Sequence, residues 1–142
     1  VDGGDSGGLG MAVLVDTNVI IDILTDDPNW ADWSQATLES HSNESLSINP
    51  AIFAELCYGL ESLEEAEAIV RQFALEFLET PRDGLFRAAK AFAQYKTRGG
   101  TKDFVLPDFF IGGHAESSSL AIVTRDRTRY STYFPGVQLI EP

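Results

Sequence analysis

Short apolar runs alternate with helical stretches along this chain, and acidic residues follow two of the runs. The run Ala12–Val15 ends at Asp16, and the run Leu120–Thr124 is followed by Asp126. Such runs are typical of buried parallel strands, and their alternation with helices predicts an α/β fold. If the first and fourth strands are neighbours, Asp16 and Asp126 meet at one edge of the sheet, because the carboxyl ends of parallel strands share a crevice.

Turn and capping signals divide the rest of the chain into further strands and helices. The predicted strands are 12–15, 45–48, 77–78, 120–124 and 137–140. The predicted helices are 19–24, 28 to about 41, 50–59, 62 to about 76, 83 to about 98 and 108–117, with a short turn or helix before the last strand. Pro50 and the Ser62 capping box mark two helix starts, and Asp83 is predicted to cap a third. About five mostly parallel strands with helices on both faces are therefore expected.

Length and composition predict one ordinary globular domain. Residues 1–10 are half glycine and precede Met11, so we interpret them as a flexible leader of the kind that cloning leaves behind, with residues 11–142 as the domain. The single cysteine, Cys57, excludes an intrachain disulfide and favours a reducing, cytoplasmic setting. No apolar run approaches the roughly 20 residues that span a bilayer, so no membrane partner is expected.

The net charge of −12 is distributed unevenly. Residues 1–70 contain 14 acids and no Lys or Arg, whereas residues 71–142 contain 8 acids and all 10 Lys and Arg residues. The acidity argues against tight, non-specific binding to duplex nucleic acid. A surface that binds phosphate must therefore come from the second half of the chain.

Four acids, Asp16, Glu55, Asp108 and Asp126, are the candidate site. Each of the three aspartates has a local explanation, since Asp16 and Asp126 suit caps and Asp108 suits the start of a helix after Pro107. Gathered together, four carboxylates repel one another unless a cation lies among them. Oxygen ligands without a nearby His or Cys favour Mg²⁺ or Mn²⁺, and phosphodiester hydrolysis is the natural reaction for such a site. Thr124 could support it through its hydroxyl.

Two further acids lie beside apolar residues and need partners. Glu55 lies at the border of an apolar helix face, and no Lys or Arg precedes Arg71, so its partner must be a metal or a base from the second half. Asp22 also needs a partner for its charge, because it lies between two isoleucines. It points away from Asp16, so we interpret it as a structural residue or as a residue at the rim of the site. His41 and His114 are interpreted as incidental to the site.

Four stretches of the chain resemble the PIN-domain nucleases, and among them the VapC-type toxins of prokaryotic toxin–antitoxin pairs. They are Val13–Leu24, Asn49–Gly59, Leu106–Ala115 and Ile122–Phe134, in the order and spacing of that family. The resemblance implies a PIN fold and a Mg²⁺- or Mn²⁺-dependent endoribonuclease. It also implies a VapB-type antitoxin that inhibits the enzyme, and a homodimer.

Carried over by position, the resemblance gives each candidate residue a role. Asp16 and Asp108 would be the principal metal ligands, Glu55 and Asp126 would complete the acidic pocket, and Asn18 and Thr124 would support it. For contact with RNA, the expected residues beside the pocket are Arg125, Arg127 and Arg129.

Two other classes of protein remain open at this point. A receiver-like signalling domain also binds Mg²⁺ through clustered acids, but it requires adjacent acids after the first strand. A module that binds RNA or protein without cleavage could use the same fold.

Overall fold

The computed structural model describes residues 12–102 and 105–142 of the chain. Along these residues the strands are β1 (Ala12–Val15), β2 (Ser45–Ile48), β3 (Glu76–Phe77), β4 (Ala121–Val123) and β5 (Leu139–Ile140). The helices are α1 (Thr17–Leu24), α2 (Ala31–Ser40), α3 (Pro50–Tyr58), α4 (Leu63–Gln72), α5 (Arg82–Thr97), α6 (Leu106–Ser118) and α7 (Thr128–Tyr133). The leader predicted at residues 1–10, and Met11, lie outside the described residues.

The five strands form one parallel sheet in the order β3-β2-β1-β4-β5. The predicted α/β class and parallel sheet are therefore confirmed. The central strand β1 is buried along Val13, Leu14 and Val15, which explains its uninterrupted apolar sequence. From β1 the chain moves first towards β2 and later returns to β4 on the other side. The strand order reverses between β1 and β4, and α/β sheets open a crevice at such a point.

Most helix starts follow the predicted signals. Asp16 caps α1, Asn49 caps α3 by accepting a bond from the Ile52 amide, and Ser62 forms the predicted capping box with Glu65. The helix predicted from Pro28 begins instead at Ala31. The reason is that the Asp27 carboxylate accepts bonds from the amides of Asn29 and Trp30 at 2.8 and 2.9 Å and holds a turn.

Two further helix boundaries and the ranges of both outer strands differ from the prediction. Helix α4 ends at Gln72 rather than near Glu76, because Ala74 adopts φ 53° and the chain leaves the helix there. Helix α5 begins at Arg82, after Pro81, so Asp83 lies in its first turn and pairs with Arg87 instead of capping. The outer strands β3 and β5 are each two residues long, and neither matches its predicted range.

Two glycines allow α6 to pack closely against its neighbours. A Cβ atom on Gly113 would lie 2.4 Å from the carbonyl oxygen of Gly84 in α5, and one on Gly112 would lie 2.3 Å from the Phe134 ring after α7. The close packing fixes α6, and with it the helix start that carries Asp108. Along the described part of the chain, no helix has the length and apolar character needed to cross a membrane.

Candidate active site

The structure brings the four predicted acids to one small hollow at the carboxyl ends of β1 and β4. The hollow has a volume of about 110 Å³ and lies at the point where the strand order reverses. Its lining consists of Asp16, Thr17, Asn18, Glu55, Asp108, Asp126, Arg129 and Tyr130. Side chains separated by more than 100 positions in the sequence therefore share one site.

Asp16 is the most buried of these acids, with only 5% of its surface exposed. Its Oδ1 accepts a bond from the Thr17 amide at 2.8 Å, which is the helix cap that the sequence suggested. Its Oδ2 faces the hollow and accepts bonds from the hydroxyls of Thr124 and Tyr130, each at 2.9 Å. The carboxylate of Asp16 thus caps helix α1 with one oxygen and binds residues of the site with the other.

The surroundings of Asp16 favour its neutral form. Burial raises its pKa to about 7, and repulsion from Asp108 and Glu55 adds to the effect, while the bonds from Thr124 and Tyr130 oppose it. A carboxyl group with such a pKa lies in a place where negative charge is not compensated. Perturbed acids in a cleft are typical of functional sites.

Glu55 reaches the hollow from α3. Its Oε1 accepts a bond from the Thr17 hydroxyl at 3.1 Å, and burial, followed by repulsion from Asp108, raises its pKa above the ordinary value. The partner expected from the sequence was a metal or a base. Within the described residues Glu55 has a hydroxyl donor and no ion pair, so its charge remains uncompensated.

Asp108 lies in the first turn of α6, as predicted. Burial raises the pKa of its carboxyl group, and an ion pair with Arg129 opposes that shift. The Nη1 atom of Arg129 lies 2.8 Å from Asp108 Oδ2. Asp126 is exposed at the rim of the hollow, where its backbone amide donates to the Thr124 hydroxyl at 3.0 Å.

Asn18 and Thr124, which were predicted as supporting residues, connect the two sides of the site. The amide nitrogen of the Asn18 side chain donates to Asp16 Oδ2 and to Thr124 Oγ1, both at 3.4 Å. Its carbonyl oxygen accepts a bond from the Arg125 amide at 3.4 Å. Helix α1 and the segment after β4 are therefore held together across the hollow.

The three predicted RNA-binding arginines lie in different surroundings. Arg125 forms a two-pronged ion pair with Asp22, at 2.7 and 3.0 Å, and its guanidinium lies over the Trp30 ring. Arg127 pairs with Glu141 at 3.3 Å. Only Arg129 lines the hollow.

Asp22 has a structural place in the fold. It is buried, with 2% of its surface exposed, and also accepts a bond from Ser34. It therefore lies in the interior rather than at the rim. His41 pairs with Glu44, and His114 is buried beside Asn49 and Thr80, so neither histidine reaches the hollow.

Two residues of the hollow, Thr17 and Tyr130, were not predicted from the sequence. Thr17 donates to Glu55, and Tyr130 donates to Asp16 from a fully buried position. The Tyr130 pKa is raised well above its ordinary value, first by burial and then by the negative charge of Asp16, so the residue is a dependable donor. No spacing in the sequence links Tyr130 to Asp16, since the two residues lie 114 positions apart.

The composition of the hollow fits a hard divalent cation. Four carboxylates and a single guanidinium leave an excess of negative charge, and three of the acids have raised pKa values. Among residues 12–102 and 105–142, no three His, Cys, Asp or Glu side chains form a ready metal cluster. Mg²⁺ does not require one, since it is commonly held by one or two carboxylates with water and substrate phosphate as its other ligands.

Comparison with known proteins agrees with the resemblance seen in the motifs. The family model of the PIN domain matches residues 13–134, and a search of curated protein sequences found no match.

Solved structures with the same architecture include VapBC2 from Rickettsia felis bound to a promoter DNA fragment, with a TM-score of 0.70 and 20% identity over 92% of this chain and 98% of that one. DNA-bound VapBC from Salmonella typhimurium gives a TM-score of 0.70 and 24% identity over the same shares. FitAcB from Neisseria gonorrhoeae gives 0.63 and 26% identity over 90% of this chain and 96% of that one. The chain therefore belongs to the PIN domain family, as its acidic motifs predicted, and its fold is similar to that of chains in VapBC structures.

Proposed function

We propose that this chain is a Mg²⁺- or Mn²⁺-dependent endoribonuclease and the toxin of a VapBC-type toxin–antitoxin pair. The observation that carries the proposal is the gathering of Asp16, Glu55, Asp108 and Asp126 in one hollow at the reversal of the strand order. Membership of a family of nucleases supports it. A receiver-like signalling domain, considered from the sequence, does not agree with the PIN match.

Each acid has a role that follows from its surroundings. Asp16 and Asp108 would hold the cation, because they are the more buried pair and face each other's charge. When bound, the ion supplies positive charge to the phosphate and acidifies a water molecule. Glu55 or Asp126 would orient the attacking water and accept its proton. Attack on phosphorus, with cleavage of the bond to the 3′ oxygen, leaves a 3′-hydroxyl and a 5′-phosphate.

Thr124, Asn18 and Tyr130 would act by positioning. Thr124 and Tyr130 both donate to the Asp16 oxygen that faces the hollow, so they fix its direction. Asn18 ties Asp16 to Thr124. Such an arrangement is held in place before any ligand arrives, which is what catalysis by positioning and electrostatics requires.

The first prediction tests the metal ligands. Asp16→Asn removes a carboxylate charge with little change of shape, and we expect it to reduce RNA cleavage by about a hundredfold or more, because loss of a ligand removes charge from the reacting phosphate. Cleavage of single-stranded RNA with Mg²⁺ or Mn²⁺ is followed on gels. The matched control is Asp32→Asn, an exposed aspartate on α2 outside the hollow. Equal cleavage by wild type and Asp16→Asn would rule out this assignment.

The same assay distinguishes the enzyme from a module that only binds. Such a module would retain RNA without cutting it, whether or not the cation is present. Cleavage that depends on Mg²⁺ or Mn²⁺ excludes that alternative.

The antitoxin and the homodimer are proposals that rest on relatives. The similar structures that are VapBC by name include those from Rickettsia felis, Salmonella typhimurium and nontypeable Haemophilus influenzae. A VapB-type protein should co-purify with this chain and suppress its RNA cleavage. Light scattering of the purified chain should give twice the monomer mass. The cytoplasmic setting remains a prediction from the single cysteine.

A further inference from the structure

Arg129 is the one cation that lines the acidic hollow in the described part of the chain. Its Nη1 atom lies 2.8 Å from Asp108 Oδ2, and the two side chains are 24% and 25% exposed. A partly exposed guanidinium here neutralises one of the two carboxylates that would hold the divalent ion. The ion pair and the ion therefore compete for the same carboxylate.

The backbone of Arg129 is held in place by its neighbour, whereas its side chain lines the hollow. Its neighbour Tyr130 is buried and bonded to Asp16, so the position of α7 relative to the hollow is set. The Arg129 guanidinium lies 5.6 Å from the centre of the Tyr95 ring. A guanidinium has five N–H donors and matches the oxygens of a phosphate, so the same group can bind either a carboxylate or a phosphate.

We propose that Arg129 is an internal counter-ion, which holds Asp108 when no divalent cation is bound and moves to the scissile phosphate when a cation takes Asp108. The inference rests on the proposed function and deepens it by assigning the order of events. Cation binding frees the guanidinium, and the freed guanidinium then favours RNA binding. Binding of the cation and binding of RNA are thereby coupled through one side chain.

Coupling of this kind is reciprocal, so it can be measured from either ligand. If Arg129 competes with the cation, removing it should tighten cation binding in the absence of RNA. If Arg129 then binds the phosphate, removing it should also abolish the gain in RNA affinity that the cation produces. A residue that merely stabilises the fold would change neither quantity.

The first arm measures Mn²⁺ binding by electron paramagnetic resonance without RNA. Arg129→Met should lower the Mn²⁺ dissociation constant by about fivefold, the effect expected for loss of a partly exposed ion pair. Arg129→Lys, which keeps the charge, should bind Mn²⁺ nearly as the wild type does. The matched control is Arg127→Met, which removes the same charge two positions away, where Arg127 pairs with Glu141. Mn²⁺ binding by Arg129→Met that is unchanged or weaker would overturn the proposal.

The second arm measures binding of a fluorescent single-stranded RNA in a Glu55→Gln background, which is expected not to cleave. Mn²⁺ should raise RNA affinity by about tenfold in this background and by much less when Arg129→Met is added. Circular dichroism confirms that each variant is folded. An equal gain with and without Arg129 would show that the guanidinium does not move to the phosphate.

Failure of the endoribonuclease proposal and failure of the counter-ion proposal give different results. A wild-type chain that does not cleave RNA, together with tighter Mn²⁺ binding by Arg129→Met, would refute the endoribonuclease and leave the counter-ion in place. Metal-dependent cleavage, with Mn²⁺ binding unaffected by Arg129→Met, would refute the counter-ion alone.

Discussion

At the scale of single residues, three of the four carboxylates of the hollow are held by donors from different segments. Thr17 binds Glu55, Tyr130 and Thr124 bind Asp16, and Arg129 binds Asp108. The acids could be predicted from the sequence, because their motifs follow strands or begin helices. Thr124 and Arg129 were expected near the site, but the bonds that they and the other donors make could not be predicted, since a hydroxyl or a long guanidinium makes its bond in three dimensions and leaves no regular spacing in the sequence.

Tyr130→Phe tests the importance of one such donor. The change removes the hydroxyl bonded to Asp16 and leaves the ring in the core, so we expect about a tenfold loss of RNA cleavage. The free energy of unfolding should fall by only about 1 kcal/mol, the net value of a buried hydrogen bond. Cleavage assays and urea unfolding measure the two effects.

Tyr133→Phe in the same helix is the control for Tyr130→Phe, because Tyr133 does not line the hollow. Similar cleavage losses in both variants would show that the Tyr130 hydroxyl has no special role.

His114 allows a prediction about pH and stability. The Asn49 carbonyl oxygen is occupied by the Ile52 amide, so its NH₂ group faces His114 Nδ1 at 3.2 Å and that nitrogen must accept. Burial lowers the His114 pKa below the ordinary 6.5. The unfolded chain therefore takes up a proton at higher pH than the folded protein does, and stability is lost as the pH falls below about 6.5.

The His114 contribution is isolated by comparing the wild type with His114→Gln between pH 7.5 and pH 5. The difference in their free energies of unfolding should change by up to about 1.4 kcal/mol per pH unit as the pH falls, with the wild type losing more. The comparison is needed because Asp16, with its raised pKa, acts in the opposite direction in both proteins. A constant difference across this range would mean that His114 titrates alike in both states.

At the scale of secondary-structure elements, the central part of the sheet was the most predictable. The bounds of β1 and β2 agree with the structure, because their apolar runs and flanking polar residues are unambiguous. The end of α4 was not predictable, since the left-handed conformation of Ala74 depends on how the chain reaches β3. The Arg125–Asp22 pair was also missed, because it joins residues 103 positions apart.

The Arg125–Asp22 ion pair connects α1 to the segment after β4. Its two partners should contribute unequally to the free energy of unfolding. The Asp22 side chain is 3% exposed, whereas the Arg125 side chain is 31% exposed. Arg125→Ala leaves a buried charge unpaired and should cost about 3 kcal/mol, whereas Asp22→Ala leaves a guanidinium that can reach water and should cost about 1 kcal/mol. Urea unfolding of both variants measures the difference. Equal costs would contradict the burial argument.

At the scale of the whole molecule, we expect the fold not to depend on a bound cation. The hollow already has protein donors on Asp16, Glu55 and Asp108, and the sheet and helices pack on a core of apolar side chains. We therefore expect a chelator to abolish RNA cleavage while leaving the fold intact. Structural zinc domains behave differently, because they unfold when the metal is removed.

Thermal unfolding followed by circular dichroism checks this prediction. With the chelator the protein should show a cooperative transition, and Mg²⁺ at about 100 times its dissociation constant should add about 2.7 kcal/mol of stability. Loss of the native spectrum on chelation would refute it.

The order of the strands also bears on how the protein is made. The hollow takes side chains from Asp16 through Tyr130, and its two flanking strands, β1 and β4, are separated by more than 100 residues. A nascent chain emerging from the ribosome has no complete hollow until Tyr130 has left the exit tunnel. The proposed ribonuclease activity would therefore appear only late in synthesis, after most of the chain has left the ribosome.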